Sequence, residues 1–392
     1  MRIAMIGPFG FHPNKTMRSR ALPLARRLVE RGHSVKILMP PWQTPEEEGK
    51  TWKENGVEIQ YTGTGRGYLG RAISLTRRVI QWNPEVAHSF KPKAYSGLAS
   101  WWLWYFHRNR IKLVTDSDDW EGSGGWNEVA PYSATQKRFF DWQENWGLRH
   151  NHALTVASRE LESRARAIGL PDDKVFYLPN GPGISFERNA ESSKRAELDL
   201  VGRPVILLYS RLFEFDTARM VGILSQVKDA LPDLAVLTVG MSLFESDAVD
   251  FKEAVATAEL EDAIVDVGWV EEEELPFYLR AADAGVYLID DNLINRSKCP
   301  VKLADMLSVG LPVVAEAVGQ VPEYVIQNKT GLLRQSGDSA GIASDLVALL
   351  GDKKLRERLS QRAQELIEER FSWERLADTA EEAYQFALQS EK

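Results

Sequence analysis

Short runs of branched apolar residues alternate with helix-patterned stretches along nearly the whole chain, and this alternation limits the fold more than any other feature. RIAMIG, SVKILMP, VEIQYT, EVAHSF, KLVTDS, ALTVAS and KVFYLP occupy the first half; PVILLYS, LAVLTVG, AIVDVG, AGVYLID and LPVVAE occupy the second. Such runs, separated by helical patterns like ALPLARRLVERG, indicate parallel sheets covered on both faces. At 392 residues the chain exceeds one compact core, so two doubly wound Rossmann-like α/β domains are expected. The polar, turn-rich GPGISFERNAESSKRAELDLVGRP marks their joint. The expected division is a domain at 1–182, a linker at 183–203, a domain at 204–371, and a terminal helix at 372–392 packing back on the first. Facing each other, two such domains would hold ligands in a central cleft, at the carboxyl ends of both sheets.

A single cysteine, Cys299, leaves no internal disulfide and suits a reducing cytoplasm. The opening MRIAMIGPFG has too short an apolar run for a signal peptide and reads as a first strand. No apolar run reaches the ~18 residues that would suggest a spanning helix. Charge is segregated: residues 1–185 hold 26 Lys and Arg against 18 Asp and Glu (+8), and residues 186–392 hold 22 against 38 (−16), which reproduces the net −8. A basic half on an acidic protein suggests an anionic partner, such as a phosphorylated acceptor or a lipid surface; the plain alternative is chance segregation. In ASWWLWYFHRNR (99–110) five aromatics precede a basic end. A helix buried against the sheet is preferred there over a membrane-interface helix.

Residues 297–326, SKCPVKLADMLSVGLPVVAEAVGQVPEYVI, are the densest in signals. Pro300 suits a first helical position. Leu303, Met306 and Leu307 make a buried stripe, Gly310 a left-handed stop, and Pro312 prevents resumption. Lys302 and Asp305, three apart, share a face. A lysine at a helix start can bind phosphate together with backbone N–H groups, and an aspartate one turn on can accept from sugar hydroxyls. The alternative is an amphipathic helix with solvated charges.

Arg211 follows the strand VILLYS, where a planar cation could neutralise a diphosphate. Asp116, Ser117, Asp118 and Asp119 follow the strand residues Leu113 and Val114. That carboxylate cluster could bind a divalent metal, act as a base or cap the next segment. His88, ending VAHSF, is expected to face the same cleft. GRGYLG (65–70) matches a dinucleotide fingerprint in form, but it follows the third strand and no ribose-binding acid ends the next one, so a loop is expected.

Taken together, these residues resemble the retaining glycosyltransferases of family 4, which have the two-domain GT-B fold. The resemblance rests on GPFGFHPNKTMRSR after the first strand, LVERGHSVKILMP, VAHSF, PNG at 179–181 and SRL at 210–212. GWVEEEELPFYLRAADAGVYL (268–288), KLADMLSVGLPVVA (302–315), VGQVPEYV (318–325) and TGLL (330–333) complete it. It implies that Arg211 and Lys302 hold a donor diphosphate, that Asp305 binds the nucleotide ribose, and that the chain around Val270 meets the base through its backbone. Gly7, Gly10, Ser297 and Gly319 would also line the donor. On the acceptor side it implies Asp118 as the catalytic carboxylate where the family tends to have histidine, with His88, Asp116 and Asp119 as neighbours. This chain departs from the family pattern at Ser297, in place of the first of two paired glutamates, and at Asp216, in place of a lysine.

The function so implied is transfer of a sugar from a nucleotide diphosphate sugar to a hydroxyl acceptor, with retention of configuration at the anomeric carbon. No cofactor or metal beyond the donor substrate is expected. The acceptor would be a glycan, a lipid-linked molecule or a small molecule, with no nucleic acid. The expected location is the cytoplasm, extending to peripheral association with the inner face of the membrane. The rival expectations are a non-catalytic nucleotide- or glycan-binding protein and a sugar-nucleotide epimerase or phosphorylase on the same architecture.

Overall fold

A computed structural model describes residues 1–12, 16–41, 43–63, 67–184, 193–240 and 242–390. The chain forms two compact units. One comprises Met1–Asn180, Arg296–Cys299 and the residues from Ser372 on; the other comprises Gly181–Asn295 and Pro300–Phe371.

The first unit is built on β1 (Arg2–Ile6), β2 (Ser34–Met39), β3 (Thr51–Glu54), β4 (Val57–Tyr61), β5 (Val86–Phe90), β6 (Lys112–Ser117), β7 (Ala153–Val156) and β8 (Val175–Tyr177). Their order is β3-β4-β2-β1-β5-β6-β7-β8, parallel except for the β3–β4 hairpin. Alternation along β1 divides the interior. Ile3 and Met5 face a core shared with helices Leu22–Glu30 and Trp373–Gln389, and Ala4 and Ile6 face one shared with helices Gly67–Trp82 and Ala94–His107. The helix expected at 372–392 lies within this unit: Tyr384 is fully buried, and Arg31 pairs with Glu374, Asp378 and Glu381.

The second unit is an all-parallel sheet of β9 (Val205–Tyr209), β10 (Ala235–Val239), β11 (Ile264–Asp266), β12 (Ala284–Tyr287), β13 (Val313–Glu316) and β14 (Gly331–Arg334), ordered β11-β10-β9-β12-β13-β14. In each sheet the chain builds outward one way and then restarts on the other side of its first strand. The switch falls between β1 and β5 in the first unit and between β9 and β12 in the second, and the crevice at such a point is where doubly wound sheets admit ligands.

Two strands, β3 and β14, lie outside the runs read from the sequence. Both are only four residues long. The β3–β4 turn is Asn55-Gly56, both with positive φ (48° and 82°), as a tight hairpin requires. Of the linker expected at 183–203, residues 185–192 lie outside the described residues. The remainder is structured on the second unit: Lys194–Glu197 is a helical turn, and Arg195 pairs with Asp283 at 3.0 Å. Gly65 and Arg66 of GRGYLG also lie outside the described residues, whereas Gly67 onward begins a helix rather than a loop.

The aromatic helix Ala94–His107 buries Tyr95, Ala99 and Leu103 and leaves Trp102, Tyr105 and Phe106 exposed. Among the described residues no helix is long and apolar enough to cross a membrane.

Candidate functional site

In the second unit, a small pocket lies at the switch point, lined by Leu208, Tyr209 and Ser210 from the end of β9, by Val286, Tyr287 and Leu288 at the end of β12, and by Lys302. Lys302 is in the first turn of helix Val301–Ser308, with its ammonium 4.9 Å from the centre of the Tyr209 ring. A cation over an aromatic face is held by the ring quadrupole. Arg211 is exposed two residues beyond β9. The fold therefore brings the two expected phosphate cations to one strand end. Gly310 has φ +78°, and a Cβ there would stand 2.6 Å from the Ser360 hydroxyl, so the stop after this helix suits glycine on both counts. Pro300, expected at the first helical position, is instead the residue before it, and the helix starts at Val301.

Asp305 is buried, which rules out the alternative of a helix with solvated charges. It is 2% exposed, and Oδ1 accepts hydrogen bonds from the backbone N–H groups of Gly183 (2.7 Å) and Ile184 (3.3 Å). Burial pushes its carboxyl up to about 7 against those two hydrogen bonds, which favour the charge. One oxygen thus anchors the chain at 183–184, which leaves Oδ2 for any ligand. Val270 is half-buried just beyond β11, and Gly319 is exposed in the turn after β13 with φ +52°.

In the first unit the carboxyl ends of β5 and β6 carry an ionic cluster centred on the Lys91 ammonium. It lies 2.6 Å from Asp119 Oδ2, 3.0 Å from Glu121 Oε1 and 3.2 Å from Asp118 Oδ1, and Lys93 pairs with Glu121 at 2.6 Å. The cation amid these carboxylates is thus a lysine. Asp118 is buried, and its Oδ1 has the ion pair but no hydrogen bond. Burial raises its carboxyl above the ordinary range, Lys91 opposes that, and Asp119 and Asp116 add to it. Burial would likewise raise Glu121, but Lys91 and Lys93 outweigh it and hold the carboxyl near 2.

Two residues expected on the acceptor side, His88 and Asp116, are placed differently. His88 is fully buried rather than cleft-facing: Nδ1 lies 2.8 Å from the Tyr384 hydroxyl and Nε2 3.2 Å from Thr155 Oγ1. Burial holds it down to about 4, so it is a neutral interior imidazole. Asp116 is also removed from an acceptor face, because Arg20 takes both of its oxygens. Gly7 and Gly10 meet side chains at closest range: a Cβ on Gly7 would lie 2.8 Å from Met17, and one on Gly10 3.2 Å from the Tyr61 ring. Ser297, like Gly7 and Gly10, belongs to the first unit, and its carbonyl accepts from Ser158 Oγ at 2.8 Å.

Several important residues carried no local signal. Arg20 bonds Asp116, the Leu178 and Pro179 carbonyls and Asn180 Oδ1, tying β6 to the PNG turn. Glu316 accepts from Arg219 and from the backbone N–H groups of Ile289 and Gly337, which fixes the loop after β12. Asp216, standing where the resembled family has lysine, caps helix Thr217–Ala230 by accepting from the Arg219 N–H. Glu144 is fully buried with neither carboxylate oxygen hydrogen-bonded; burial and then Glu121 push it well above the ordinary range.

Residues 16–181 match the glycosyl transferase 4-like domain, and residues 191–366 match the glycosyl transferases group 1. The phosphatidyl-myo-inositol mannosyltransferase of Mycobacterium leprae is 26% identical, over 98% of this chain and 96% of that protein. Sucrose-phosphate synthase from Thermosynechococcus elongatus superposes with a TM-score of 0.73 at 19% identity, covering 98% of both chains. Anabaena HepE, solved with UDP and glucose, gives 0.71 at 17% identity, covering 97% of this chain and 98% of that one. These structures share its fold, two Rossmann-like domains of the GT-B type.

Proposed function

The chain belongs to the group 1 glycosyltransferases, and from that premise we propose that it moves a sugar from a nucleotide diphosphate sugar to an acceptor hydroxyl with retention of configuration. The observation that carries this reading is Lys302 in the pocket at the switch point of the second sheet, with Arg211 two residues beyond β9. During transfer, the bond between the anomeric carbon and the diphosphate oxygen breaks, and the acceptor oxygen bonds to that carbon. Negative charge collects on the departing nucleotide diphosphate. Arg211 and Lys302 would meet it there, with the helix start at Val301 adding its dipole and no further cofactor taking part.

Around this centre, the backbone near Val270 would meet the base, Oδ2 of Asp305 the ribose, and Gly319 the donor's phosphate or sugar. Gly7, Gly10 and Ser297 are assigned to the donor as well. Asp118 would orient the acceptor hydroxyl and take its proton, with Asp119 beside it. UDP and glucose in HepE support a nucleotide diphosphate donor. The mannosyltransferase relative, named for a phosphatidyl-inositol, supports a lipid-linked acceptor used at the inner face of the membrane.

The test is incubation with UDP-, GDP- and ADP-sugars while nucleotide release is followed with and without candidate acceptors. Release that depends on an acceptor is expected. Tight nucleotide binding without turnover would overturn transfer in favour of a binding protein, a reading that the helix-capping Asp216 favours because it leaves one family cation missing. Sugar release that requires phosphate would mark a phosphorylase.

A further inference from the structure

We propose that the outer face of helices Gly67–Trp82, Ala94–His107 and Ala134–Arg149 in the first unit docks on an anionic lipid bilayer. This deepens the proposed lipid-linked acceptor and rests on that reading. Its test reads vesicle binding without turnover, so the two can fail separately.

These helices expose large apolar side chains together: Leu69 is 67% exposed, Phe106 60% and Tyr105 51%, with Ile73, Trp102 and Trp142 also above 40%. The exposed rings connect with one another through half-buried Trp101 and Phe139 and buried Trp146. Trp102 lies 4.7 Å from Phe106, Phe106 6.3 Å from Trp101, Trp101 5.1 Å from Tyr105, and Tyr105 6.2 Å from Trp146. From Trp146 the series continues to Trp142 at 6.3 Å and Phe139 at 5.8 Å, and then to Tyr68 at 6.5 Å. A contiguous exposed apolar patch on an otherwise polar domain marks an interaction surface. Tryptophan and tyrosine in particular settle where hydrocarbon meets headgroups.

Charge selects the occupant. Helices Gly67–Trp82 and Ala94–His107 contain no Asp or Glu. Arg77 and Arg78 are exposed on helix Gly67–Trp82 and Arg108 and Arg110 just beyond helix Ala94–His107, and none pairs with an acid among the described residues. A second copy docked face to face would set these arginines against one another, whereas anionic headgroups would neutralise them. Arginine at the edge and aromatics across the centre match the polar and apolar layers that a bilayer surface presents in sequence.

The full chain is floated with vesicles of phosphatidylcholine alone and with phosphatidylglycerol added, at low and physiological salt. Binding is expected only where phosphatidylglycerol is present, weakening with salt, with a blue shift of tryptophan emission. Replacing Trp102, Tyr105 and Phe106 together by Ser should abolish binding and the shift. Arg77→Gln with Arg78→Gln should weaken binding on the order of thirtyfold. Circular dichroism and nucleotide affinity verify that each variant is folded. Absence of binding to anionic vesicles at low salt overturns the proposal. So does equal binding by the aromatic variant, equal binding to phosphatidylcholine alone, or a concentration-dependent dimer that the aromatic substitutions abolish, which would assign the face to a second copy.

Discussion

Arg20 grips Asp116 with two hydrogen bonds, Nε to Oδ2 at 2.7 Å and Nη2 to Oδ1 at 2.6 Å, and neither side chain meets water. Burial disfavours the guanidinium charge, but Asp116 more than restores it, so both groups stay ionised. Thr155 Oγ1 donates to Asp116 Oδ1 at 2.7 Å as well. Asp116 is therefore a structural anchor at the end of β6, and the acceptor chemistry proposed above falls to the neighbouring Asp118.

Breaking this pair should be costly. Asp116→Asn or Arg20→Met leaves one buried charge uncompensated, and a loss of about 3–5 kcal/mol of stability is expected. Urea unfolding measures it; a loss under about 1 kcal/mol would show that water or another group takes the vacated place.

Arg211→Ala and Lys302→Ala should each lower turnover about tenfold to a thousandfold, or roughly 1.4–4 kcal/mol of transition-state stabilisation. Arg211 is exposed, so its variant should unfold like the wild type. Full activity in both variants, with circular dichroism unchanged, would move the diphosphate elsewhere.

Asp118→Asn should reduce transfer far more than nucleotide affinity, since it removes the proton acceptor and leaves the second unit intact. Calorimetry with the nucleotide, set beside the transfer rate, separates the two effects. Wild-type transfer in Asp118→Asn would reduce the Lys91 cluster to a structural role. Lys91→Met should destabilise the fold, because Asp118, Asp119 and Glu121 would lose their shared cation.

Two buried groups give stability opposite pH slopes. His88 titrates at about 4 in the folded state against an ordinary 6.5, so the unfolded chain binds the extra proton between those values. Its contribution is present above 6.5 and lost as pH falls toward 4. Asp305 titrates at about 7 against 3.8, so there the folded state holds the extra proton, and stability falls as pH rises toward 7. Unfolding midpoints across that range should show reduced acid sensitivity in His88→Asn and reduced loss toward neutrality in Asp305→Asn, each compared with the wild type at the same pH.

The two-sheet architecture was legible because it is written in local periodicity. Runs such as VAHSF and KLVTDS are buried at every position, as strands covered on both faces must be. The Leu303, Met306 and Leu307 stripe and the stop at Gly310 were legible for the same reason, since each depends on neighbours within a turn or two. β3, TWKE at the sheet edge, was hidden by its polar residues, although Asn55-Gly56 signalled the hairpin.

Partners were not legible. Arg20 finds Asp116 across 96 positions, Asp305 finds Gly183 across 122, and His88 finds Tyr384 across 296. No periodicity reports such pairs, because the burial that makes each of them matter exists only once the sheets have stacked. The sequence alone determined where most strands and helices form, that Arg211 follows β9 and that Lys302 opens a helix. Tertiary packing decided which carboxylates remain available: it consumed Asp116, half-occupied Asp305, and left Asp118 short of a hydrogen bond, since in a water-poor interior each polar atom must take whatever partner the fold brings within reach.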